Sequence, residues 1–239
     1  MASNTNYTEV HDLAIVRGTV DDSPAVLHLL DIAVKWLESQ GRTGQWGTAL
    51  FSENLQRVEQ FRELATTGQG LWLAVKVTGD TPIPGQDRLN SPTENGGAPR
   101  VIVGALALGE KMSYVAPVSE PELYVRLLVT DRRYAGSKIG TRLLEHARDV
   151  ANKAGALLLR LDCYAGGDGK LVQFYESQGF KRFESFKVKG EWPCQVLAQR
   201  AKELDHHQRH GGIEVIAFQP YKATSASARC QGTRYTSKQ

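Results

Sequence analysis

Apolar residues recur along this chain with two periods, and the switches between them predict its elements. Leu13-Ala-Ile-Val-Arg17 reads as a first strand. Asp22-Ser23-Pro24 signals a helix start, with Ser23 as N-cap and Pro24 at the first helical position. Val26, Leu29, Leu30, Ala33, Val34 and Leu37 then recur at helical spacing, carrying that helix to Gln40. A glycine-bearing loop over 41–47 leads to a second helix from Glu53 to Ala65, with Leu55, Val58, Phe61, Leu64 and Ala65 on its inner face. Leu71–Val77 and Val101–Leu108 read as strands. Leu123–Val129 is a further strand, followed by the polar loop Asp131–Gly140 and an amphipathic helix starting near Ile139. The chain then reads strand, glycine-rich loop and second short helix up to Phe180, after which Lys181–Val188 and Gln195–Gln199 close the sheet.

The order β-α-α-β-β-β-α-β-α-β-β predicts an α/β (α+β) domain: a mixed sheet with helices on both faces. A doubly wound nucleotide-binding fold would alternate strand and helix throughout, and this order does not. Residues 79–99 hold Pro82, Pro84, Pro92 and Pro99 with several glycines, the composition of a flexible insertion between two strands. Residues 1–11 are a polar N-terminal segment, 12–210 form the domain, and 211–239 are an extension, with a possible strand over 213–218 before a basic flexible tail. Ala201–His210 reads as the end of a helix.

Charge and cysteine usage narrow the classes. A chain of 239 residues with 41% hydrophobic content is long enough for one well-cored domain. The net charge of +3 gives no reason to expect nucleic acid as a partner. Cys163, Cys194 and Cys230 lie far apart with no metal-type spacing, which points to reduced thiols and a cytoplasmic protein. No apolar run approaches the ~20 residues of a membrane span, so no membrane partner is expected. His206, His207 and His210 lack companion ligands, so the metal expectation is none.

The stretch Leu123–Phe180 carries the chemistry. A strand that feeds a glycine-bearing loop into a helix N-terminus builds an anion site, because free backbone N–H groups converge there with the helix dipole. Ala135-Gly-Ser-Lys-Ile-Gly140, then Thr141-Arg-Leu-Leu, resembles the acyl-CoA loop Gln/Arg-x-x-Gly-x-Gly/Ala of the GNAT N-acetyltransferase superfamily. Leu171-Val-Gln-Phe-Tyr-Glu-Ser-Gln-Gly-Phe180 resembles the family's LYxxxGF element. The element order over residues 12–200 fits as well, and Asp162–Gly169 with Trp192-Pro-Cys-Gln195 resembles bacterial-type members of undefined substrate. Two positions depart from the pattern: Ala135 stands for the family's Arg or Gln, and Lys138 for its middle glycine.

The resemblance implies a largely antiparallel twisted sheet that splays into a V between its two central strands. It implies acetyl-CoA as co-substrate, no metal, and a primary amine acceptor. The Pro-rich insertion and the Trp46 loop favour a small molecule over a protein as that acceptor. Leu127, Leu128 and Val129 would meet the pantetheine arm with main-chain groups. Gly136, Ser137, Lys138, Ile139, Gly140 and Thr141 would donate N–H groups to the pyrophosphate, next to Ala135, with Arg132 and Arg133 supplying cations. Tyr175 would protonate the leaving thiolate, since a phenol of pKa ~10 stays protonated at neutral pH. Glu110, Glu122 and Asp162 remain alternative bases. Trp36, Trp46 and Tyr164 are candidates for the acceptor pocket. Members of the family often dimerise, so a homodimer is one assembly the resemblance allows. The alternative to catalysis is an acyl-CoA-binding regulatory module, favoured by Ala135 and Lys138.

Overall fold

Strands and helices follow one another in the expected order along a computed structural model that describes residues 13–66, 69–77, 100–188 and 190–201. The strands are β1 (Leu13–Arg17), β2 (Gly70–Val77), β3 (Arg100–Gly109), β4 (Glu122–Thr130), β5 (Leu158–Tyr164), β6 (Lys181–Val188) and β7 (Trp192–Arg200). The helices are α1 (Ser23–Ser39), α2 (Leu55–Thr66), α3 (Ile139–Lys153) and α4 (Lys170–Ser177). The expectations for 1–11, the 79–99 insertion, the 202–210 helix end, the 213–218 strand, the three histidines and Cys230 lie outside the described residues.

One seven-stranded sheet runs β1-β2-β3-β4-β5-β7-β6. Every neighbouring pair is antiparallel except β4 and β5, which run parallel through the α3 crossover. That pairing is short, from Glu122 opposite Leu158 to Val125 opposite Leu161, after which the strands part. The cause is visible on the other edge of β4. Against β3, Ala107 faces Leu127 and Leu108 faces Val125, so Arg126 is an extra residue, a bulge that bends β4 away from β5. The V-shaped splay implied by the family resemblance is therefore present.

Two cores sandwich the sheet. Leu106, Leu108, Val125, Leu159 and Leu161 pack under α3 and α4 with Leu143, Leu144, Ala147 and Val172. On the other face Leu71, Leu73, Ala105, Ala107 and Val129 pack under α1 and α2 with Val26, Leu30 and Phe61. A smaller cluster of Val115, Tyr124, Cys194 and Val196 covers the β5–β7 end of that second face, beneath the segment joining β3 to β4. Among the described residues, no helix is long and apolar enough to cross a membrane.

Two local expectations need correction. Ser23 is not the N-cap of α1 but its first residue, buried at 2% exposure. A 3-10 turn over Val20–Asp22 precedes the helix, and Thr19 and Asp22 form the reciprocal capping box instead, with Thr19 N donating to Asp22 Oδ2 at 2.8 Å. Leu55 does not face inward: it opens α2 and is 84% exposed, because Asn54 caps the helix there and turns the first residue to solvent. The inner face of α2 is Phe61 and Ala65, with Val58 and Leu64 half-buried.

Candidate active site

The loop after β4 is set by Asp131. Its fully buried carboxylate accepts from the Arg133 backbone N–H at 2.9 Å and forms a two-point pair with the Arg133 guanidinium, closing a 3-10 turn over Arg132–Tyr134. The chain then takes a positive φ at Gly136 (87°) and again at Lys138 (57°), which directly precedes α3. Lys138 is the one non-glycine with positive φ among the described residues. It adopts the left-handed turn that the resemblance assigns to glycine, so the turn survives the substitution at a conformational cost. The N–H groups of Ile139, Gly140 and Thr141 open α3, where no intrahelical acceptor exists for them.

This loop forms one end of a cleft of about 760 Å³ that follows the splay. Leu128, Val129 and Thr130 line its floor on β4, and Ala135, Gly136, Lys138, Ile139, Gly140 and Thr141 line the α3 end. Trp36, Trp46, Arg132, Tyr164 and Tyr175 line it as well, so most of the sequence-derived candidates meet in one cavity. Leu127, Arg133 and Ser137 do not reach the lining. Leu127 packs into the α1–α2 core, Arg133 turns to Asp131, and the Ser137 N–H donates to the Tyr134 carbonyl at 3.1 Å.

The Arg132 guanidinium lies 3.8 Å from the centroid of the Trp36 ring. Burial, then the neighbouring Arg42, hold its pKa below the ordinary value. Tyr175 projects from α4 into the cleft and is 7% exposed. Burial, then Cys163 and Asp162, raise its phenol pKa well above the ordinary value, so it holds its proton at neutral pH. Its hydroxyl has no hydrogen-bond partner among the described residues.

Several participants were not legible in sequence. Arg42, in the loop after α1, pairs with Asp168 at 2.6 Å across the cleft, and Asp168 also takes Lys170 at 3.0 Å. The Tyr164 hydroxyl is wedged between Gly44 and Gly166, where any side chain would strike it, and its ring stacks on Trp192 at 5.6 Å. Trp192 in turn donates its indole N–H to the Gln45 carbonyl at 3.0 Å. The ties of Arg42 to Asp168, Gly44 to Tyr164 and Gln45 to Trp192 each join segments more than a hundred residues apart, and no local pattern encodes them.

The three carboxylates left open as bases separate clearly. Glu122 is committed to the fully buried Arg160 at 2.8 Å, at the closed end of the β4–β5 pair. Glu110 is exposed beyond the end of β3. Asp162 lies within β5 rather than at its end, and accepts from Tyr124 at 2.8 Å and Tyr114 at 3.0 Å, with the Cys194 thiol 3.7 Å away. Burial, then Asp162, push the Cys194 thiol up to about 12, so it is a neutral thiol in this cluster. Among the described residues no group of three or more His, Cys, Asp or Glu is arranged to hold a metal ion.

Comparison with known proteins adds the family. No curated protein matches the sequence. An N-acetyltransferase from Staphylococcus aureus Mu50 shares the fold at 13% identity and TM-score 0.53, over 80% of this chain and 99% of that one. The PaiA N-acetyltransferase from Thermoplasma acidophilum, in complex with coenzyme A, gives 14%, 0.50, 79% and 99%. YncA from Salmonella typhimurium, a putative acetyltransferase with its cofactor acetyl-CoA, gives 14%, 0.50, 81% and 96%. At such identities these structures establish the fold alone. The sequence profile described as Acetyltransferase (GNAT) family matches residues 89–180, the span that carries the loop, the splay and Tyr175. By its fold, and by that match over residues 89–180, the chain is similar to the acetyltransferases of the GNAT family.

Proposed function

We propose that this protein moves the acetyl group of acetyl-CoA to the primary amine of a small molecule by direct attack, with Tyr175 as general acid. The observation that carries this reading is the pairing, in one cleft, of a helix-opening phosphate cradle with an unpartnered, protonated phenol. The N–H groups of Gly136 and of Lys138–Thr141 would take the pyrophosphate, with Arg132 supplying positive charge. The pantetheine arm would run along the edge of β4 that leaves β5 after Val125, where the backbone groups have no strand partner among the described residues. A main-chain N–H next to the Arg126 bulge would polarise the thioester carbonyl. The neutral amine nitrogen forms the new C–N bond, the tetrahedral intermediate collapses, and the C–S bond breaks. The thiolate takes its proton from Tyr175, and the proton that the nitrogen loses returns through solvent to the Tyr175 phenolate.

The regulatory-module alternative loses its main support, because Lys138 holds the left-handed turn rather than abolishing it. The domain boundaries proposed are 12–210 for the transferase, with 79–99 inserted and 211–239 appended. The widely spaced cysteines favour a cytoplasmic location.

Calorimetric titration with acetyl-CoA, with ATP as control, tests the cofactor. Micromolar binding of acetyl-CoA alone is expected, and equal binding of ATP would reduce the cleft to a generic phosphate site. Tyr175→Phe tests the acid: kcat should fall at least about 100-fold with KM little changed. Full retention of kcat would remove Tyr175 from the mechanism.

A further inference from the structure

Arg126 and Asp162 occupy the first positions beyond the last rung of the β4–β5 pair. That rung is Val125 opposite Leu161, and each strand's next residue stands at the vertex of the V. Both side chains lie on the face away from Tyr175. Asp162 meets the hydroxyl of Tyr124, and Arg126, two residues on from Tyr124, shares its side of β4. The Arg126 Nη1 donates to the Glu110 carbonyl at 3.2 Å, and Arg126 acts electrostatically on Tyr114, which itself donates to Asp162. In an unsplayed sheet the two would form an ion pair. Here the opening keeps them apart: among the described residues, neither forms a salt bridge.

The vertex thus carries a carboxylate and a guanidinium at successive positions of two parting strands, with no salt bridge between them among the described residues. Tyr114 links them, donating to Asp162 while lying within the electrostatic reach of Arg126. Arg160 on the same face holds Glu122, and Glu184 lies beyond Asp162, within electrostatic reach of Cys194. The ionised Asp162 offers about four lone-pair sites and uses two for the tyrosines, with a weak thiol contact besides. Arg126 has five N–H donors and spends one on Glu110. Tyr114 is 40% exposed, so the gap opens to solvent on the side opposite the leaving-group acid.

We propose that this vertex is the acceptor site and that it selects primary amines carrying their own carboxylate: the ammonium docks on Asp162 and the carboxylate on Arg126, and the ammonium gives one proton to solvent before the neutral nitrogen attacks. The proposal rests on the transferase reading and specifies its acceptor. A zwitterion replaces the missing ion pair with two hydrogen-bonded ones, whereas a simple amine leaves Arg126 without an anion. The nitrogen is placed at the vertex, one residue from the Leu127 backbone.

The test compares CoA release from acetyl-CoA with three pairs of acceptors: L-phenylalanine against phenethylamine, β-alanine against ethylamine, and 4-aminobutyrate against propylamine. At least one carboxylate-bearing member should exceed its partner by tenfold or more in kcat/KM. Arg126→Gln should collapse the ratio within each pair to near one, chiefly by raising KM for the carboxylate-bearing member, with acetyl-CoA affinity by calorimetry as the check on folding. Asp162→Asn should raise KM for both members, with acetyl-CoA affinity by calorimetry unchanged as the check on folding. Equal use of each pair, a preference that survives Arg126→Gln, or acetyl-CoA binding without turnover of any of the six compounds would each overturn the proposal. All three leave acetyl-CoA binding intact. Failure to bind acetyl-CoA would instead overturn the transferase reading beneath it.

Discussion

Arg42 reaches across the mouth of the cleft to Asp168, Nη2 to Oδ2 at 2.6 Å, joining the loop after α1 to the loop before α4. Both side chains are about two-fifths exposed, so the pair contributes little to stability. Its effect lies in charge. Asp168 engages Arg42 and Lys170 beside a cleft built for phosphates, and hydrogen bonding from Lys170 holds its carboxyl below the ordinary range. Asp168→Asn retains an oxygen for the Lys170 N–H and releases both cations. Acetyl-CoA affinity should rise a few-fold, with a steeper salt dependence, and the urea midpoint should hardly move. Calorimetry at two ionic strengths reads this, and unchanged affinity would mean that Arg42 faces away from the bound phosphates.

Lys138 carries a second prediction. A left-handed backbone costs a side-chain-bearing residue about 1–2 kcal/mol, and glycine escapes that steric cost. Part of the gain is offset by the greater freedom of glycine in the unfolded chain. Lys138→Gly should therefore stabilise the protein by about 1 kcal/mol in urea unfolding, while Lys138→Ala should not. The same pair of variants separates backbone from ammonium at the phosphate site. If the ammonium contributes, both variants lose affinity for acetyl-CoA despite the stability gain of the first.

Elements were legible in this sequence because their signals are local. The alternating and 3.6-residue patterns placed Ile139 at the start of α3 and β6 at Lys181–Val188, and Tyr175 was reached through the ten residues around it. The splay was inferred from resemblance, yet its physical origin, the Arg126 bulge, has no signature in Glu122–Thr130. Leu55 was misplaced because an apolar residue at helix register looks inward until the cap is known. Arg42 with Asp168, and Tyr114 with Asp162, are brought together only by the sheet, across 126 and 48 positions.

Gly104 positions the cradle from beneath. A Cβ there would lie 3.0 Å from Ile139 Cγ2, 3.1 Å from Leu143 Cδ1 and 3.2 Å from the Val129 carbonyl oxygen. The first two belong to the opening turn of α3 and the third to β4, so the helix cannot retreat without leaving the strand that faces the pyrophosphate. Gly104→Ala should cost about 1–3 kcal/mol, as overpacked cores do. Acetyl-CoA affinity should fall in the same variant, because the N–H groups of α3 shift relative to β4. A variant that is destabilised but binds normally would show that α3 moves as a unit with its loop.

Trp72 and His146 give a pH dependence whose sign is fixed by burial. The rings meet edge to face with centroids 4.2 Å apart, and Nε2 of His146 is buried without a partner among the described residues. Desolvation lowers the His146 pKa; Asp149 opposes it and Lys153 reinforces it. The unfolded chain thus binds the proton more readily than the folded one. The stabilisation is complete above the unfolded value of about 6.5 and is lost as pH falls from there toward the lower folded value. Urea midpoints at pH 8, 7, 6 and 5.5 should decline across the last three, above the range in which carboxylates dominate acid unfolding. His146→Gln removes the titrating group, so its midpoint should be flatter over that window even if lower throughout. Identical slopes in the two proteins would place the acid sensitivity elsewhere.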